Sequence, residues 1–139
     1  MVILDSNVIS ALMHQRPPIA VRQWLDRQAE LSVWTTSITV FEIRMGIEVL
    51  PQSRRRRSLE IEFQHVIEDD IERRIVPFDT SAANAATLLM AERKRTGRTG
   101  DLRDTMIAGI VIASHATLAT HNMRHFNDLP VPVVNPWNA

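Results

Sequence analysis

Four polar side chains stand where they could share one piece of chemistry: Asp5, Glu42, Asp104 and Asn122. Asp5 ends the apolar run Val2-Ile3-Leu4. Glu42 sits among Val40, Phe41 and Ile43, at the edge of a stripe whose Phe41 reads as packing inward. Asp104 comes three residues after Asp101, and Asn122 follows the run Thr117 to Thr120. Carboxylates gathered in one cleft repel each other, so they need a cation or raised pKa values. Oxygen ligands of this kind suit magnesium, which keeps several waters when a few carboxylates hold it. Such an ion polarises a phosphate and acidifies a bound water, so the implied reaction is phosphodiester hydrolysis. Each residue also has a plainer use. Asp5 could cap the helix after it, Glu42 could be solvated, Asp101 and Asp104 suit a helix N-terminus, and Asn122 suits a turn. Only their joint placement favours catalysis.

The elements that would position them follow from hydrophobic periodicity. Val2 to Leu4 read as a buried strand, with Ser6 or Asn7 as cap of a helix to about Met13. Pro17 and Pro18 open a second helix carrying Val21, Trp24 and Leu25. Leu31 to Thr35 read as a strand, and Ser37 as cap of a helix that Pro51 stops. Ser53 to about Glu68 read as an amphipathic helix. Ile75 to Phe78 form a strand, and an alanine-rich helix starting at Thr80 or Ser81 ends near Gly97. Asp101 starts the next helix; Thr117 to Thr120 and Val131 to Val134 are the last strands. Alternating strands and helices predict an α/β fold with parallel pairing. In such a sheet ligands bind at the carboxyl ends of the strands, where Asp5 and Asn122 fall.

Composition bounds the partners. The chain has 139 residues, 45% of them hydrophobic, which is enough for one core and one domain over 1–139. Sixteen basic residues balance sixteen acidic ones, so any attraction to nucleic acid must be local. The absence of cysteine excludes disulfides and thiolate metal sites. An acid at position 5 comes too early for a signal peptide, and no apolar run approaches membrane-spanning length. A cytoplasmic protein with no membrane contact is the expectation.

At these same residues the sequence resembles the PIN-domain ribonucleases, in particular the VapC- and FitB-like toxins of bacterial toxin–antitoxin pairs. The likeness lies in Met1 to Ser10, in Thr36 to Gly46 with Phe41-Glu42-Ile43, and in Asp104-Thr105-Met106-Ile107-Ala108-Gly109. It continues in Leu118 to Phe126 and in Asn135-Pro136-Trp137. The resemblance implies a PIN-like three-layer sandwich, a short, mostly parallel sheet of about four to five strands flanked by helices. It implies magnesium or manganese held by Asp5, Glu42 and Asp104, with Asn122 in support where many relatives carry an acid. It further implies an RNA substrate, a homodimer, and a small DNA-binding antitoxin that blocks the acids, one means being an arginine set against Asp5 and Glu42. Ser6 keeps the hydroxyl of a more usual threonine, and Gly109 stands in for alanine as a packing residue.

Other features were weighed against this. Arg93-Lys94-Arg95 and Arg98 are favoured over Arg54 to Arg57 for RNA contact, because acids soon neutralise the latter run. Phe41, Met45 and Phe63 provide more apolar side chains than a short sheet needs, pointing to an interface. Trp24, Trp34 and Trp137 read as core or interface anchors, and His121 and His125 do not read as a zinc pair. A phosphatase or receiver reading fails on Asn7 and on Lys94, the only lysine. A nucleotide-binding reading fails for want of a glycine-rich loop. A binding protein without catalysis is separated from the enzyme by metal-dependent RNA cleavage.

Overall fold

The computed structural model describes residues 1–139. Five strands form one sheet in the order β3-β2-β1-β4-β5. They are β1 (Val2–Leu4), β2 (Val33–Thr36), β3 (Ile75–Val76), β4 (Thr117–Ala119) and β5 (Val133–Val134). Every pairing is parallel, so the expected mostly parallel sheet is wholly so. The helices are α1 (Ser6–Leu12), α2 (Ile19–Asp26), α3 (Ser37–Glu48), α4 (Arg54–His65), α5 (Thr80–Arg95), α6 (Leu102–Ala113) and α7 (Met123–Phe126).

Strand side chains alternate between faces, and here the alternation builds two cores. Ile3 lies opposite Leu118, and both enter a core with Ile107, Ile110, Val111 and Phe126. Leu4 lies opposite Ala119, and both enter the other core with Val8, Ile9, Trp24, Phe63 and Ile71. Each face is thus covered by helices, which is the three-layer arrangement the sequence predicts. Trp24 is buried, and Trp34 and Trp137 pack at core margins, so all three are anchors. Gly109 has a strict packing reason. A Cβ there would come within 2.5 Å of the Ala82 carbonyl and 2.7 Å of the Ala86 Cβ, so glycine lets α6 lie against α5. No helix is long and apolar enough to cross a membrane.

Several boundaries differ from the sequence reading, each for a local reason. Leu31 lies in a turn at φ 68 and is exposed, so β2 begins at Val33. Pro77 has no N–H to give a ladder, and β3 stops at Val76. β4 ends at Ala119 and β5 begins only at Val133. The helix from Ser53 gives way at Val66 to a π-helical turn, Val66–Asp70. Asp5 caps α1, as its plainer use predicts, and not Ser6 or Asn7; Thr36 caps α3 in place of Ser37; α5 starts at Thr80 as expected, capped by Asp79. In each case the residue ending the strand or loop keeps extended backbone while its side-chain oxygen accepts a helix N–H. Phe41 does not pack inward: it is 58% exposed, with Met45 at 40%, while Phe63 is buried at 5%. The interface signal therefore rests on Phe41 and Met45 and not on Phe63.

Candidate active site at the strand ends

β1 delivers Asp5 to the carboxyl edge of the sheet, where its backbone N–H continues the ladder to the Ala119 carbonyl at 2.9 Å. The side chain is 3% exposed. One oxygen accepts the Ser6 N–H at 2.8 Å. The other accepts the Thr120 hydroxyl at 2.7 Å and the Asn7 amide at 3.3 Å. The Thr120 oxygen itself accepts from Asn7 at 3.2 Å and from the Asn122 N–H at 3.0 Å, so its single proton is committed to Asp5. These donors leave the first oxygen of Asp5 free to accept once more. Burial pushes the Asp5 carboxyl up to about 6; the bonds from Thr120 and Ser6 oppose this, and the charges of Asp104 and Glu42 add to it. The acids on β1, α3 and α6 therefore feel one another across the chain.

Glu42 is held by a line of hydroxyls. Ser6 donates to Glu42 Oε1 at 2.8 Å. With that proton used, the 3.0 Å contact between Ser6 and Thr39 has Thr39 as donor. Thr36 donates in turn to Thr39 at 3.3 Å, while its oxygen accepts the Thr39 N–H. Every proton in the relay points towards the carboxylate, which fixes Glu42 through neutral donors. The nearest cation is Arg103, at 3.8 Å from Glu42 Oε2 and half-exposed. Asp104, in the first turn of α6, takes His125 Nδ1 at 2.9 Å. Asp101 caps that helix through the N–H groups of Arg103 and Asp104.

The chain matches the PIN domain model over residues 2–131. The chain belongs to the PIN-domain family. Among curated proteins, the VapC ribonuclease Y4jK of Sinorhizobium fredii is 31% identical, covering 99% of this chain and 98% of that one. Toxin FitB of Neisseria gonorrhoeae is 30% identical, covering 99% of each. Among solved structures, that of FitAB bound to the IR36 DNA fragment matches with a TM-score of 0.87 and 31% identity, covering 99% of this chain and 96% of that one.

In this PIN domain Asp5, Glu42 and Asp104 come together at one end of the sheet. Asn122 differs: its backbone N–H supports Thr120, but its exposed side chain bonds none of the acids. Asn7 fills that supporting place, with its carbonyl accepting the His121 N–H at 3.0 Å. Sequence reading passed over Asn7, Thr36, Thr39, Thr120, Arg103 and His125 as members of the site. The only trace of them was the density of hydroxyls beside the acids, in Thr35-Thr36-Ser37 and Thr39. No three acidic or histidine groups are drawn close enough to enclose an ion unaided. The donor set is nonetheless all oxygen, with a buried carboxylate that lacks a cation. That fits a hard ion which completes its shell with water.

Proposed function

We propose that this chain is a metal-dependent endoribonuclease, the toxin of a bacterial toxin–antitoxin pair. One observation carries the reading: Asp5 is buried without a protein cation, while Glu42 and Asp104 repel its charge. A fold tolerates that where a ligand compensates it, and strongly perturbed groups in a cleft mark functional sites. Asp5, Glu42 and Asp104 would hold a magnesium or manganese ion, which would polarise a phosphate oxygen and activate water at neutral pH. The chain's own contribution is orientation. Thr120 and Asn7 aim Asp5, the Thr36–Thr39–Ser6 relay aims Glu42, and His125 aims Asp104. Asn122 contributes through the backbone of the turn that fixes Thr120. In the net reaction one P–O bond of the RNA backbone breaks and water adds across it.

The partner is a small DNA-binding antitoxin. The relative FitAB was solved bound to DNA, and this chain offers a groove of about 810 Å³ between α3 and α4. Phe41, Met45, Val49 and Ile61 line it and are exposed, an apolar surface suited to an amphipathic helix. An arginine from that partner could close on Asp5 and Glu42 and displace the metal. Self-association through the same apolar excess completes the proposal; a strict monomer by light scattering at tens of micromolar would remove it.

Cleavage of single-stranded RNA by the purified chain, stopped by a chelator and restored by magnesium or manganese, tests the enzyme. A folded Asp104→Asn variant that still cleaves would overturn it. Co-expression with the neighbouring upstream gene should give a complex without ribonuclease activity.

A further inference from the structure

Beside Asp104 lies a hollow of about 340 Å³ with no apolar side chain in its wall. It is bounded by the loop before α6, by the first turn of α6 and by α7. Its charged groups are Arg93, Arg98, Arg124, Asp101, Asp104 and His125. Most of them are committed elsewhere. Arg93 is 4% exposed and forks onto Asp128, with its Nε 2.8 Å from one carboxylate oxygen and an Nη 2.9 Å from the other. It also donates to the His125 carbonyl at 2.9 Å. Asp101 accepts two N–H groups of α6 and Asp104 faces His125; these partners hold the two carboxylates in place, and both stay in the wall beside the arginines.

Two guanidinium groups remain. Arg98 donates to the Asn127 side chain and to the Arg124 carbonyl, both at 2.7 Å, and these acceptors are neutral. The carboxylate nearest to it, Asp128 at 3.7 Å, already carries Arg93. Arg98 is thus fixed in place by neutral acceptors and shares Asp128 with Arg93, so one carboxylate faces two guanidinium groups. Arg124 makes no side-chain hydrogen bond or ion pair; only its carbonyl is engaged. Gly100 keeps the loop seated over this group, because a Cβ there would come within 2.9 Å of Arg93 Nη1. The result is a polar hollow that shares Asp104 with the acid site and carries two cations of the type that forks onto phosphate.

We propose that this hollow seats a backbone phosphate of the RNA strand, next to the phosphate presented to the acids, with Arg98 and Arg124 as its ligands. The inference rests on the ribonuclease reading and deepens it. A chain with sixteen basic and sixteen acidic residues has no overall pull on a polyanion, so its hold on the strand must be local. The hollow and the acids share Asp104, so a phosphate held by Arg98 and Arg124 lies beside the one presented to the acids. The arginine cluster of Arg93 to Arg98 is thereby divided. Arg93 is a buried strut, Arg95 pairs with Glu92, and Arg98 meets substrate.

The test uses the full chain carrying Glu42→Gln, so that RNA is not consumed, with a short fluorescent single-stranded RNA. Binding is read by anisotropy across a salt series. Replacing Arg98 and Arg124 by Gln should weaken binding about tenfold at low salt, and flatten the logarithmic salt slope by roughly 0.7 per lost phosphate contact. Arg55→Gln, on the exposed face of α4, should change neither. Unchanged affinity and slope in the double variant would overturn the proposal, and so would an equal loss in Arg55→Gln. Inorganic phosphate provides a probe independent of RNA. A phosphate-induced rise in melting temperature that the double variant loses, together with unaltered RNA binding, would overturn the RNA assignment and leave a free-anion pocket. Cleavage by the unmodified chain, measured alongside, reports separately on the ribonuclease reading.

Discussion

Asp5 and Asp128 are two carboxylates held in different ways, the first buried and the second at the surface. Asp128 meets the fork of Arg93, and that bond holds its carboxyl below the usual carboxylate range. Asp5 meets a hydroxyl, an amide and a backbone N–H, with two further acids near it, and its carboxyl is pushed up to about 6. Burial opposes ionisation at both. At Asp5 deep burial outweighs the neutral donors, and at Asp128 the Arg93 fork outweighs a slighter burial. The Arg93–Asp128 pair is a finished structural joint between α5 and the segment after α7. The Asp5 carboxyl is oriented by neutral donors alone, and strongly perturbed carboxyls of this kind mark candidate functional sites.

The contrast can be broken by mutation, and the largest effect should fall on activity. Glu42→Gln and Asp104→Asn should each lower RNA cleavage by about a thousandfold or more, the equivalent of several kcal/mol of lost charge stabilisation. Their melting temperatures should stay near that of the unmodified chain. A folded variant that keeps more than a tenth of the activity would remove these acids from the reaction. Next in size, Arg93→Ala should cost about 3 kcal/mol of stability, at the low end for a broken buried pair because Asp128 is partly exposed. Denaturant unfolding measures this, and a loss below about 1 kcal/mol would show that the joint is not structural.

A third expectation concerns Asp5 and pH. Its folded pKa of about 6 lies above the usual carboxylate value, so the folded chain binds the proton more tightly than the unfolded one. Stability from this group therefore falls as pH rises from about 4 to about 6, and the full cost is present above that window. Without metal, Asp5→Asn should be more stable than the unmodified chain at pH 8, by about 1–3 kcal/mol, and the gap should close near pH 4. Asp128 runs the other way: its pKa is depressed, so its contribution is complete above its unfolded value and is lost as the pH falls through its folded one. An Asp5→Asn chain less stable at pH 8 than at pH 4, relative to the unmodified chain, would reverse the comparison. The smallest effect is ligand linkage. Magnesium or manganese at ten times its dissociation constant should stabilise the unmodified chain by about 1.4 kcal/mol, and Asp5→Asn by much less. An equal rise in both proteins would place the ion elsewhere.

The sequence by itself determined the layers, and its resemblance to the PIN-domain ribonucleases singled out the candidate acids. Short apolar runs alternating with helical periods leave few solutions other than a parallel sheet covered on both faces. An acid at the end of the first run then falls at the edge where such sheets bind ligands. Asp5 was legible because it ends an apolar run and Glu42 because it interrupts one; Asp104, in Asp101-Leu102-Arg103-Asp104-Thr105, stands out only in company with them. Their supporting residues were not legible. Thr120 is 115 positions from Asp5, and Thr39 is 33 from Ser6; a threonine in a strand or at a helix start has ordinary uses that conceal such a bond. Phe41 was read inward because its neighbours in the chain are apolar, yet the turn of α3 carries it into an open groove. The arginines show the same limit. Arg93 and Arg98 look alike in sequence. Only the tertiary structure seats Asp128 in the fork of the first and leaves the second at 3.7 Å from it with neutral hydrogen-bond partners, because neutralisation depends on which carboxylate arrives in space and not on which lies near in the chain.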